Sequence, residues 1–250
     1  MSAMKLTVLG YYGGYPYAGH GTSGYLIQSE TGFNLLLECG SGVLLALQKY
    51  LDPLQLDAVL LSHYHHDHTA DVGVLQYYWQ LAPGQHKEPV LPIYGHTRET
   101  LSFAALTMPN ITQGQAYDPD GVLKLGPFEI TFLPTKHPVP AYAMRIEETS
   151  TGKVLTFTSD TAYIETLVDF AKDSDLLMTD TNFFDDKTGK IWHMTSTQSG
   201  KLAQKAKVKH LLLTHLPQHG DLEKLKKEAE ITSEGILVDY AQEGLTIKLA

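Results

Sequence analysis

The 250-residue sequence holds one cysteine, Cys39, so the chain can form no internal disulfide and no cysteine-cluster zinc site. Any metal must be held by His, Asp or Glu. No apolar run approaches the roughly 18 residues that a membrane-spanning helix needs, and Met1 leads straight into the strand-like KLTVLG without a signal-type apolar region. A soluble, cytoplasmic protein with no membrane partner is expected. Positive charge is scarce too: 19 Lys and Arg against 28 Asp and Glu give a formal charge of -9. The basic residues gather only at 201–210 (KLAQKAKVKH) and at 224–227 within a helix of alternating sign, so extended nucleic acid has little to bind. Linkers, low-complexity tracts and long repeats are missing, which makes a single domain over 1–250 the economical expectation.

Apolar material is plentiful, at 43% of residues. Strand-length apolar runs recur at 5–9, 24–28, 33–38, 57–61, 90–94, 127–133, 141–146, 153–158, 175–179, 209–214, 236–239 and 244–249. Helical patterns lie between them, near 43–50, 70–81, 97–106, 161–171, 196–206 and 221–230. In the last of these Leu222, Leu225 and Ala229 share one face while charged residues fill the others. GPF at 126–128 and TGK at 151–153 read as hairpin turns, since glycine supplies the positive φ they need. The class is α/β with many strands.

Twelve histidines are present, and four of them crowd into LLSHYHHDHTADVG, residues 60–73. DAVLL at 57–61 reads as a buried strand, and the cluster begins where it ends. In extended backbone His63 and His65 project to one side while Tyr64 and His66 point away. Asp67 and His68 fall at the turn into the following helix and can serve a second, adjacent point. The pattern His-x-His-x-Asp-His therefore offers two ligand sets. Two metals need more ligands than this stretch holds, and three later residues end apolar strands: His137, Asp160 and His215. Asp180 rivals Asp160, because TSDT and MTDT both follow apolar strands; spacing from His137 favours Asp160. His219 rivals His215 but follows Pro217 in a loop. His20, His86, His96 and His210 read as ordinary polar groups, and Cys39 as a small buried residue.

These stretches, from NLLLECGSG through LSHYHHDH and FTSDT to LLLTHL, resemble the metallo-β-lactamase superfamily over almost the whole chain. The resemblance implies a four-layer αββα sandwich of two mixed β-sheets flanked by helices. It implies two divalent metal ions: His63, His65 and His137 on one, Asp67, His68 and His215 on the other, Asp160 bridging. Zinc suits this donor set, with manganese or iron as alternatives. The superfamily commonly has Asp where this chain has Glu38.

The superfamily hosts many chemistries, so its fold alone settles no substrate. Secreted zinc β-lactamases carry a signal peptide and a ligand cysteine, flavodiiron proteins a Glu at position 65 and a flavin domain, and glyoxalase II enzymes a closing helical domain; this chain shows none of these. HMTSTQSGKLAQKA places His193 just before a helix, 22 residues ahead of His215. The segment resembles the His-x-Ser/Thr motif of the ribonuclease Z-like branch, where that histidine sits over the metals. Asp180 stands where that branch has the acidic residue of a His-Glu-Ala-Thr loop that orients the histidine. Only 22 residues separate His137 from Asp160, which leaves no room for a tRNA-gripping arm. The resemblance is thus closer to small phosphodiesterases of the branch, acting by attack of a metal-bridging hydroxide on a cyclic or linear, nucleotide-like phosphodiester. Two divalent cations offset by Asp67, Asp160 and hydroxide leave the centre near roughly +1, which attracts an anionic ester. Asp67 and His193 carry catalytic roles in this reading, with Asp180 behind His193. Hydrolysis of carboxylic esters, thioesters or lactams is the alternative; tRNA 3' processing and non-catalytic metal binding rank lower. Homodimers are common in the branch, yet the sequence shows no interface signature. The tyrosines of loop 11–24 sit, by resemblance, at the rim of the site.

Overall fold

The structure is a computed structural model that describes residues 4–249. The chain divides into two compact units, one running to Asp118 and regaining Gln242–Lys248, the other spanning Pro119–Ala241.

The first unit is built on a mixed sheet. Its strands are β1 (Met4–Tyr12), β2 (Gly21–Thr22), β3 (Gly24–Gln28), β4 (Asn34–Leu37), β5 (Ala58–Leu60), β6 (Leu91–Gly95) and β7 (Thr112–Ala116). β1, β3 and β4 pair antiparallel, whereas β4, β5, β6 and β7 run parallel in that order. The parallel register sets Leu37 opposite Leu60, so β4 and β5 end side by side. Strands buried on both faces need unbroken apolar sequence, and NLLL of β4 and AVL of β5 supply it. Four helices accompany this sheet: α1 (Val43–Leu47), α2 (His66–Thr69), α3 (Val72–Leu81) and α4 (Thr100–Ala104). Leu26, Leu36, Val59 and Ile93 of the sheet pack with Val43 and Leu47 of α1 and with Leu75 and Trp79 of α3. Each such side chain contributes about 1.5–3 kcal/mol by leaving water, which fixes the strand ends relative to the helices.

The second unit repeats the plan with β8 (Leu123–Leu125), β9 (Phe128–Pro134), β10 (Tyr142–Glu148), β11 (Lys153–Phe157), β12 (Leu176–Asp180), β13 (His210–Thr214) and β14 (Leu237–Tyr240). β8 to β11 form an antiparallel meander, and β11 to β14 run parallel. The meander turns at Gly126 and Gly152, both at positive φ, as the sequence predicts. The helices are α5 (Thr166–Phe170), α6 (Ser196–Ala206) and α7 (Leu222–Ser233), and α6 starts on a capping box in which Thr195 and Gln198 satisfy each other's backbone. The last strand, β15 (Thr246–Leu249), lies at the edge of the first sheet beside β1. Two mixed sheets with helices agree with the expected fold class. Among the described residues no helix is long and apolar enough to cross a membrane.

Several boundaries differ from the sequence reading. The helix expected over 161–171 contracts to α5; ahead of it the Thr161 N–H is bonded to the Asp180 carboxylate and the Ala162 N–H to the Lys136 carbonyl. The helix expected over 70–81 is preceded by the separate turn α2. β7 (TQGQA) and β8 (LKL) went unpredicted, since one is polar without alternation and the other only three residues long.

Candidate metal-binding residues

In the first unit the donors follow β5. Past Leu60 the chain bends at Ser62 and runs to His65, whose extended φ of -60° and ψ of 148° make it the N-cap of α2. His63 and His65 therefore lie between the strand and the helical turn that carries Asp67 and His68. The His63 ring centroid lies 4.9 Å from that of His65 and 4.2 Å from that of His68, and His68 Nε2 is 3.6 Å from Asp67 Oδ2. Tyr64 turns aside to donate to the His96 carbonyl at 2.6 Å, and His66 is exposed.

His63, Asp67 and His68 are held from behind. Glu38 leaves the end of β4 at a φ of +61° and is fully buried. Its Oε1 accepts from the Ser62 N–H at 2.8 Å, and its Oε2 lies 3.0 Å from His68 Nδ1. One carboxylate thus joins the ends of β4 and β5 and orients His68, so that Nε2 is the nitrogen that could bind a cation. His63 Nδ1 rests 3.0 Å from Ser62 Oγ, and Asp67 Oδ2 accepts from the Gly14 N–H at 2.7 Å. Gly40 is required by the same close packing: a Cβ there would sit 2.1 Å from the Asp67 carbonyl oxygen and 2.3 Å from Thr22 Oγ1.

In the second unit the strand ends of β9, β11, β12 and β13 deliver His137, Asp160, Asp180 and His215. Two of these ends leave regular β geometry through residues at positive φ, Ser159 at +53° and His215 at +51°. Asp160 Oδ2 lies 3.3 Å from His215 Nε2 and 3.8 Å from His137 Nε2. Asp180, fully buried, is the hub behind them. Its Oδ2 accepts from the Thr161 N–H at 2.9 Å and lies 2.8 Å from His193 Nδ1, while its Oδ1 lies 3.2 Å from His215 Nδ1. His193 reaches this carboxylate because its segment pairs with the chain after β12, where the Phe183 and Ser196 N–H groups bond to the Met194 and Phe183 carbonyls. Burial disfavours the imidazolium of His193, but the charge and hydrogen bond of Asp180 outweigh it and lift the pKa above the ordinary histidine value. The rings of His193 and His215 stack at 5.0 Å. Donor atoms of Asp160, Asp180, His193 and His215 all lie within 4.8 Å of one another.

Each unit therefore assembles its share of the sequence-derived set: His63, His65, Asp67 and His68 in one, His137, Asp160, His193, Asp180 and His215 in the other. The donor chemistry fits divalent cations, because imidazoles and carboxylates converge and His63, Asp67, His68 and His215 stand on backing hydrogen bonds that fix their orientation. His219, the rival of His215, is exposed, and His20 and His210 are engaged with Glu243 and Asp239. Sequence reasoning missed the backing contacts of Glu38, Ser62 and Gly14, and the bond from Asp180 to His215. Only Glu38 left a trace in the sequence, as a carboxylate at a strand end.

Comparison with known proteins agrees with this architecture. A family model described as a beta-lactamase superfamily domain matches residues 34–216. The probable metallo-hydrolase YhfI of Bacillus subtilis is 47% identical over 237 residues, covering 93% of this chain and 95% of its own. The crystal structure of that metallo-beta-lactamase fold protein superposes with a TM-score of 0.92 at 44% identity, covering 98% of this chain and 99% of the other. A ribonuclease Z of Myxococcus xanthus is 24% identical over 310 residues, covering 100% of this chain and 99% of its own. A matching family model over most of the chain and a relative of nearly full coverage lead to one conclusion: the chain belongs to the beta-lactamase superfamily and has the metallo-β-lactamase fold.

Proposed function

We propose that this metallo-hydrolase is a phosphodiesterase, acting on a small cyclic or linear phosphodiester of nucleotide type with two divalent cations, zinc being the best match to its imidazoles. His63, His65 and His137 would hold one cation and Asp67, His68 and His215 the other, with Asp160 shared. When bound, such cations supply Lewis-acid charge that offsets the phosphate oxygens and favours ionised water.

The observation that carries the choice of phosphodiester is the 2.8 Å contact between Asp180 and His193. A carboxylate on Nδ1 fixes the ring and keeps its proton there, so Nε2 becomes the atom that can act on substrate. An alkoxide leaving phosphorus needs a proton from such a group, whereas a thiolate leaves without one. The ribonuclease Z relative supports the same direction, since a ribonuclease acts on phosphodiesters. Asp67, held by the Gly14 N–H, presents its carboxylate in a fixed orientation for a cation and for the attacking water.

Metal-supplemented protein should hydrolyse bis(p-nitrophenyl) phosphate and lose that activity on chelation and in His68→Ala, whereas His193→Ala should slow cleavage of a phosphodiester with an alkoxide leaving group, such as a cyclic nucleotide, by about 10²-fold or more and the p-nitrophenyl ester far less. Metal-loaded protein that cleaves thioesters but none of a panel of phosphodiesters would overturn the reading in favour of a carboxylic-ester or thioester hydrolase.

A further inference from the structure

The loops that leave β12 and β13 border an open cavity of about 290 Å³ that the proposed chemistry does not use. Asn182, Phe183, Phe184, Asp186, Lys187 and Gln218 are among its lining residues. Its walls are tied to the donors of the second unit. Asn182 Nδ2 donates to the His215 carbonyl at 2.9 Å, and the Phe183 ring meets the His193 ring edge-on at 5.9 Å. Gly220, at a φ of +111°, leaves space for the other ring, since a Cβ there would lie 2.5 Å from Phe184 Cζ. The Lys187 ammonium stands 4.8 Å from the Phe183 ring centroid, and that of Lys224 5.5 Å from the Phe184 centroid.

We infer that this cavity is a nucleobase subsite, taking the amino-bearing base of a nucleoside phosphodiester whose phosphate lies at the donor residues. The inference rests on the phosphodiesterase reading and adds the part of the substrate that does not react. Three features select a base over an alkyl or sugar group. Phenylalanine rings stack on the π-face of any planar heterocycle. Beside its bond to the His215 carbonyl the Asn182 amide presents an oxygen and a second N–H, the pattern that matches an adenine edge, and the Asp186 carboxylate accepts from an exocyclic amine. The volume lies at the low end for small-molecule sites, about enough for one ring system and too small for a dinucleotide. Ties to His215 and His193 then make the base a lever: binding energy gained in the cavity holds the phosphate in place.

The test has a binding arm and a kinetic arm. Adenosine, which carries no phosphate, is titrated into the metal-loaded protein by calorimetry and by saturation-transfer NMR. It should bind the native chain, at least tenfold more weakly in Phe184→Ala, and measurably more weakly in Asp186→Ala, an exposed loop substitution chosen in case the first variant fails to fold. Ribose should not compete. In the kinetic arm, the ratio of kcat/KM for the p-nitrophenyl ester of adenosine 5'-monophosphate to that for methyl p-nitrophenyl phosphate should favour the nucleotide, and Phe184→Ala should lower the ratio tenfold or more through KM. No adenosine binding by the native chain, or equal binding and an equal ratio in both variants, overturns the subsite. Adenosine binding with the expected losses in a protein that cleaves neither ester supports the subsite and refutes the phosphodiesterase reading.

Discussion

Asp180→Asn replaces one carboxylate oxygen with an amide nitrogen at almost unchanged volume, in a side chain with no exposure. Two groups meet Oδ2, the Thr161 N–H at 2.9 Å and His193 Nδ1 at 2.8 Å, so the single oxygen of asparagine is drawn to that side. The new NH₂ then faces His215 Nδ1 across 3.2 Å, where two donors meet unless His215 changes tautomer. Changing it moves the proton to Nε2, the nitrogen 3.3 Å from Asp160, and a protonated Nε2 cannot bind a cation. Hydrogen bonds to charged groups contribute about 1.5–3 kcal/mol net, and loss of a partner behind a metal-binding histidine typically costs 10–100-fold in affinity or activity. Asp180→Asn should therefore weaken metal binding by at least about tenfold and lower phosphodiester turnover by about 10²-fold. Zinc titration calorimetry and steady-state kinetics measure the two, with circular dichroism to establish that the variant is folded. Native metal affinity and turnover in the folded variant would refute the reasoning.

Three further outcomes are expected. Glu38→Asp restores the residue common in the superfamily but shortens the arm by one methylene, so one carboxylate can no longer reach both the Ser62 N–H and His68 Nδ1; thermal unfolding should show a loss of about 1–3 kcal/mol and zinc titration a weaker site. Gly40→Ala forces a Cβ against the Asp67 carbonyl, and the resulting backbone shift should cost about 1–3 kcal/mol, read as a lower Tm together with weaker metal binding. Asp175 is partly buried, which opposes its charge, but Lys209 at 2.7 Å, the Val154 N–H at 2.9 Å and Lys153 at 3.5 Å outweigh burial and hold its carboxyl below the ordinary value. A lowered folded pKa gives stability that is complete above the ordinary carboxylate value and lost as pH falls through the folded one. Urea unfolding of Asp175→Asn should consequently show less loss of stability between neutral pH and pH about 3 than the native chain.

How much of this was legible in the sequence follows from what each feature depends on. Strands such as NLLL and HLLLT announce themselves, because a strand buried on both faces leaves an uninterrupted apolar run. The donors were legible for the same reason, as polar residues placed where such runs stop. β7 escaped because its polar TQGQA is held by pairing to β6 and not by burial of its own side chains. The contacts behind the donors escaped for a different reason: Glu38 and His68 are 30 positions apart, and Asp180 and His215 are 35 apart. Only the parallel registers of β4 with β5 and of β12 with β13 bring them to neighbouring strand ends. The motif at 193–206 showed where α6 begins, yet the bond of His193 to Asp180 depends on the pairing of Phe183 with Met194, which no local pattern encodes.

The central claim is that seven side chains, His63, His65, Asp67, His68, His137, Asp160 and His215, bind a pair of divalent cations. Elemental analysis joined to anomalous diffraction from crystals grown with added zinc tests it most directly. The account predicts two equivalents of metal per chain, with anomalous peaks at the imidazole nitrogens and carboxylates of these residues. Metal absent from them, or bound elsewhere on the chain, would contradict it.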